Sequence, residues 1–207
     1  MGFFDFLFGK KKDNKEEVEE FEAIKTVQSD TDNVIAKTSF SETRKEKAGI
    51  FEYINFYITG TSYNQDSIKK ALKENMGDDD FFEEKYEGLT NKEIIEDTFD
   101  EPVFEHNDVI LSDSYLKLEP ENEFDAKAIA VYHGSLKLGY IPEKDFSEAK
   151  DYIYGLLNGG LEDNQKLNFT AILFGGKYKV NRDGESVETG ESNYKLDGQI
   201  TIKTEHE

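Results

Sequence analysis

Cysteine is absent from the 207 residues, and so is tryptophan. Without thiols there are no disulfides and no thiolate metal sites, and nothing marks the redox compartment. Arginine is nearly absent. Arg44 and Arg182 are the only two, so few planar forks are available to clamp a phosphate through paired bonds. No apolar run approaches the ~20 residues that a membrane-spanning helix requires. The three histidines, His106, His133 and His206, have no ligand spacing between any two. No P-loop, nucleophile elbow or glycine-rich phosphate fingerprint is present. His133-Gly134-Ser135 lies near Asp125 in the sequence, but adjacent residues on a tight turn rarely point at each other as a triad demands. These absences predict a protein that is not an enzyme and needs neither metal nor cofactor. Basic excess is lacking too: Lys+Arg 25 against Asp+Glu 45 gives a net charge of −20. General gripping of phosphates needs the opposite sign.

What is there in quantity is aromatic: 16 Phe and 11 Tyr within a 36% hydrophobic composition, enough for one domain with a core and some appendages. The stretch 116–142, LKLEPENEFDAKAIAVYHGSLKLGYIP, organises the rest. Residues 116–118, 128–132 and 136–140 alternate apolar and polar, as half-buried strands do. The last two are joined by the hairpin turn His133-Gly134-Ser135. Between the first two lies Glu119-Pro120-Glu121-Asn122-Glu123-Phe124-Asp125, which places an aromatic ring beside a carboxylate. That pair suits stacking on a ring while accepting from a hydroxyl or amine. An Asx turn with Phe124 tucked into the core is the other account.

Along the chain, residues 1–48 read as an aromatic and charged arm with a linker, and 49–204 as the folded domain. The arm opens with Phe3, Phe4, Phe6, Leu7 and Phe8 before Lys10-Lys11-Lys12, the reverse of a secretory signal, so a cytoplasmic protein is expected. Those aromatics suit a membrane surface, a partner's groove or packing back on the domain. Residues 12–23 read as a short solvated helix. Residues 50–61 form a long strand by composition, 65–74 an amphipathic helix, and 77–101 an acidic insertion. Within the insertion Thr90 and Glu93 have capping-box spacing, while Asp78-Asp79-Asp80 reads as a solvated loop in preference to a cation site. Stretches 101–106 and 108–111 are strand-like. Residues 143–157 put Phe146, Ala149, Ile153, Leu156 and Leu157 on one helical face. Residues 167–174 form a strand closed by Gly175-Gly176, and 177–180 and 194–203 complete the sheet.

The run Glu119-Pro120-x-Asn122-x-Phe124-Asp125-x-x-Ala128-Ile129-x-Val131, with Leu138-Gly139-Tyr140-Ile141-Pro142, resembles the signature of the HIRAN domain. That resemblance is specific over 119–142 and looser over 50–203. It implies a mostly β, OB-like small barrel of about six strands with two or three helices, which binds single-stranded DNA at its 3′ end. By the same resemblance Tyr63 and Phe124 stack on bases, Asp125 accepts from the terminal hydroxyl, and Tyr140, Lys144 and Phe174 line the site. For Lys144 a solvated lysine, and for Phe174 a core aromatic, are the alternatives. Ser62 stands where the family carries an arginine that holds the terminal phosphate, so charge and a bidentate contact are missing there. From 115 to 180 there are 8 Lys and 10 acidic residues, so most of the negative charge lies elsewhere. The second reading is an acidic interaction protein, or DNA mimic, that has lost DNA binding and meets a basic protein partner.

Overall fold

The computed structural model describes residues 40–46, 49–77 and 84–205. The aromatic start, the helix expected over 12–23, Asp78-Asp79-Asp80 and His206 lie outside them. Among these described residues nine strands fall into two antiparallel sheets. In the larger, β1 (Phe40–Glu46), β2 (Gly49–Tyr57), β9 (Lys195–Thr204), β7 (Gln165–Val180) and β3 (Val103–Leu111) are neighbours in that order, and β8 (Glu188–Glu191) adds to β7. In the smaller, β4 (Ser114–Glu119), β5 (Ala128–His133) and β6 (Leu136–Tyr140) follow one another. Among the described residues there are three α-helices: α1 (Gln65–Asn75), α2 (Asn91–Asp97) and α3 (Ser147–Gly155). The fold is mostly β, as the sequence predicts. Among the described residues the ladders do not close into a barrel, because the larger sheet ends in β1 and β3 and the smaller in β4 and β6.

One core serves both sheets. Ile54 and Phe56 of β2, Ile129 and Val131 of β5, Leu138 of β6, Leu173 of β7 and Ile200 of β9 are all buried in it. On α1 the buried residues are Ile68, Ala71, Leu72 and Asn75, the i, i+3, i+4, i+7 stripe of an amphipathic helix. Each fully buried Ile or Leu removes enough apolar surface from water to contribute ~1.5–3 kcal/mol. Asn75 is polar on that buried stripe because it has work there. Its amide donates to the Ile110 carbonyl (3.0 Å) and accepts from the Ser112 N–H (2.9 Å), pinning the end of α1 to the β3–β4 turn. At α2 the predicted capping box is formed: the Thr90 hydroxyl accepts from Glu93 N–H, and the Glu93 carboxylate accepts from Thr90 N–H.

Four expectations need correction. The sheet begins at Phe40, inside the stretch read as arm and linker, with β1 and β2 paired from Phe40↔Asn55 to Glu46↔Gly49. Its sequence FSETRKE carries no apolar alternation, so the ladder to β2 makes the strand, helped by Arg44 over the Tyr53 ring at 5.7 Å. The 50–61 strand stops at Tyr57, after which Thr59 leaves β9 and pairs with Tyr140. Stretches 101–106 and 108–111 are one strand, bulged between His106 and Val109. Gly175-Gly176 does not end β7. Its ladder with β9 stops at Phe174↔Lys195, but β8 and the start of β3 supply new partners as far as Val180.

Candidate functional site

The two sheets meet where Thr59 N–H donates to the Tyr140 carbonyl (2.9 Å) and Tyr140 N–H to the Thr59 carbonyl (3.0 Å). Gly139 permits this approach, since a Cβ there would lie 2.4 Å from the Thr59 carbonyl oxygen and 2.6 Å from Ile58 Cγ2. The chain then turns sharply. Gly60 has φ 74°, the left-handed region that glycine enters without penalty, and residues Thr61–Tyr63 form one 3₁₀ turn. Asn64 Nδ2 donates to the Gly60 carbonyl (2.9 Å). Gln65 Nε2 donates to the carbonyls of Thr61 (3.0 Å) and Tyr194 (2.9 Å), while its Oε1 accepts from Tyr194 N–H (2.9 Å). Locked on both sides, this turn holds Ser62 exposed and leaves Tyr63 92% exposed.

The second half of the site is the connection from β4 to β5. Asn122 Oδ1 accepts from the N–H groups of Phe124 (3.0 Å) and Asp125 (3.2 Å), and Asp125 Oδ1 from Lys127 N–H (2.8 Å). These are two successive Asx turns. The turn is as one account predicts, but the core half of that account is wrong: Phe124 is 96% exposed. Asn122 holds the backbone N–H groups of the turn while the ring stands out in solvent. Asn122 Nδ2 also lies 3.5 Å from the Tyr140 hydroxyl. A Cβ at Gly60 would be 3.8 Å from the Tyr140 ring. Tyr140 therefore stands between the turn that carries Tyr63 and the turn that carries Phe124.

Tyr140 belongs to a polar cluster. Its hydroxyl donates to Glu119 (3.0 Å) and accepts from Lys137 (2.9 Å), while Tyr132 donates to the other Glu119 oxygen (2.8 Å). Burial disfavours the Glu119 carboxylate, but the hydrogen bonds from Lys137, Tyr132 and Tyr140 outweigh it and hold its carboxyl below the usual range. Burial likewise works against the Lys137 ammonium, and its bonds to Glu119 and Tyr140 outweigh that and push its pKa up.

Asp125 is fixed from below. Lys150 on α3 is 1% exposed, and its ammonium pairs with both Asp125 and Glu143. Desolvation opposes both charges, yet the ion pair prevails, lowering the Asp125 carboxyl and raising the Lys150 ammonium. Asp125 remains 37% exposed at its side chain, so a carboxylate with about four lone-pair sites still has an acceptor face toward solvent. Lys144 is exposed and adjoins Glu143. Phe174 is half-buried at the end of the β7–β9 ladder, opposite Lys195, which follows the Tyr194 that Gln65 holds.

Reasoning from sequence missed Lys150, Glu119, Lys137 and Gln65. Lys150 carried a signal: it falls four residues after Phe146 and three before Ile153, on the apolar face of α3, and a lysine there demands carboxylates. Glu119, Lys137 and Tyr140 come together only through the register of β4, β5 and β6. Among the described residues no group of three or more His, Asp or Glu is placed to hold a metal ion, and no helix is long and apolar enough to cross a membrane.

Compared with known proteins, the chain matches no family model, no curated protein and no solved structure.

Proposed function

We propose that the protein is a binding module of the HIRAN type, cytoplasmic and not an enzyme, that recognises the 3′ end of a single-stranded DNA. One observation carries this reading. Phe124 is 96% exposed directly beside Asp125, on a turn braced by Asn122 and next to the Tyr140 that adjoins the Tyr63 turn. An outward ring beside an acceptor is free to stack on a base, which is worth ~1–3 kcal/mol. Tyr63 and Phe124 would stack on the last bases and Asp125 would accept from the terminal hydroxyl. Tyr140, Phe174, Ser62 and Lys144 would border the end. The OB-like barrel belongs to the same reading: the Thr59–Tyr140 bridge would be its closure, with the smaller sheet as one wall. The described part of the acidic insertion supports an open site. Residues Lys85–Gly88 sit by β3, with Lys85 paired to Glu105 and the Asn107 amide donating to Glu87.

The test is fluorescence anisotropy with a short single strand ending in a free 3′ hydroxyl, against the same strand with a 3′ phosphate. Binding that prefers the hydroxyl, and loses that preference in Asp125→Ala, supports end recognition. No binding at low salt overturns it and favours the acidic surface as a site for a basic protein partner.

A further inference from the structure

We infer that the outer face of the β4–β5–β6 sheet is a second contact surface for single-stranded DNA, receiving the nucleotides that lie 5′ of the end. The inference rests on the end-recognition reading for its direction, but on different residues. Leu116 and Leu118 of β4 pack against the core, so Tyr115 and Lys117 point the other way, and both are exposed. Strand register sets them in two rows. Lys117, Ala130 and Tyr140 are partners across the three strands, and Tyr115, Tyr132 and Lys137 are partners in the next row.

The rings and ammonium groups on this face are organised. Tyr115 stacks on Tyr132 with centroids 5.7 Å apart at 18°, and the Tyr115 hydroxyl donates to the Gly134 carbonyl at 3.0 Å, which fixes the ring. Lys117 and Lys137 lie over the Tyr132 ring at 5.5 and 5.6 Å, and Lys137 also lies over Tyr140 at 4.9 Å. Glu119 is the one carboxylate among these side chains, and Lys137 already neutralises it. Lys117 has no carboxylate partner among the described residues. On a chain of net charge −20, a rigid tyrosine face with a spare cation is suited to a polyanion that also carries flat rings. An acidic peptide would satisfy Lys117 but would leave Tyr115, 42% exposed, unused. One edge of the face is Tyr140, which borders Asn122 and Gly60, so a strand whose end lies at Phe124 continues onto it.

The experiment compares a trimer and a decamer, each with a 3′ hydroxyl, and a decamer with a 3′ phosphate, on wild type and on the Tyr115→Ala/Lys117→Ala variant. The decamer should bind wild type about tenfold more tightly than the trimer. The variant should lose that gain, with a salt slope shallower by about 0.7, one phosphate's worth, while keeping its preference for the hydroxyl. A decamer no tighter than the trimer, or a gain that survives in the variant, overturns the second surface and leaves end recognition standing. Decamers that bind without regard to the 3′ group, through Tyr115 and Lys117, support the face and overturn end recognition. Failure of every strand overturns both, and an oligoglutamate that competes as well as the decamer overturns the base-stacking role of the face. Retained thermal unfolding of the variant shows that the fold is intact.

Discussion

Thr59 and Tyr140 hydrogen-bond to each other through both of their backbone groups, at 2.9 and 3.0 Å, and this pair is the β-bridge between the two sheets. The room for it is made by Gly139. A methyl group there would press on backbone, which cannot swing aside as a flexible side chain can. Gly139→Ala should therefore cost ~1–3 kcal/mol or more. Urea denaturation reads the loss, and hydrogen exchange at Thr59 and Tyr140 should quicken more than at Ile200 in the larger sheet.

Lys150 is buried while its partners Asp125 and Glu143 are partly exposed, so the two halves of the cluster should fail differently. Lys150→Met leaves carboxylates that water can still reach and should cost about 1 kcal/mol. The double change Asp125→Asn/Glu143→Gln strands an ammonium in the core and should cost ~3 kcal/mol or more. Denaturation midpoints of the two variants give the comparison. Equal losses would mean that the ion pair is not what holds the turn.

The same cluster has a pH signature. Burial raises the Asp125 carboxyl, but the bond from Lys150 outweighs it, so the folded value lies below that of the unfolded chain. Its contribution to stability is present above the unfolded value of ~3.9 and is lost as pH falls through the folded one. For Lys150 the direction is reversed: its raised pKa contributes below ~10.4 and is lost as pH rises through the folded value. Wild type and Asp125→Asn should differ by a constant amount from about pH 5 to 9, and converge in acid. Urea melts across that range test it.

Ser62 is exposed on the same 3₁₀ turn as Tyr63. Ser62→Arg adds a guanidinium there with nothing to displace, so stability should stay within about 0.5 kcal/mol. Affinity for a 3′-hydroxyl strand should rise about tenfold, with a salt slope steeper by about 0.7. Anisotropy at two salt concentrations measures both.

Much of the fold is legible in the sequence where local rules agree. The strands at 128–132 and 136–140, the glycine turn between them, the stripe Ile68, Ala71 and Leu72, and the Thr90–Glu93 box all appear, but Ala128, Ile129, Ala130 and Val131 are buried in succession, so the half-buried alternation read for that strand is not found. What stays hidden depends on distant partners. β1 has no pattern of its own and exists through β2, and β7 outlasts its two glycines because β8 takes it up. In the site, Phe124 and Asp125 are visible as a pair, but the outward direction of the ring is not. Lys150 is legible as a lysine on the apolar face of α3, but its partners, Asp125 and Glu143, follow only from the fold.

The central claim is that Phe124 and Tyr63 are exposed in order to stack on DNA bases. It is tested most directly by titrating a short 3′-hydroxyl strand into wild type, Phe124→Ala and Tyr63→Ala. Both side chains are nearly free of the rest of the protein, at 96% and 92% exposure, so neither change should alter folding. Each should weaken binding by about tenfold or more, corresponding to ~1–3 kcal/mol per stacked base. Wild-type binding that neither substitution disturbs would contradict the claim, as would a wild-type protein that does not bind the strand.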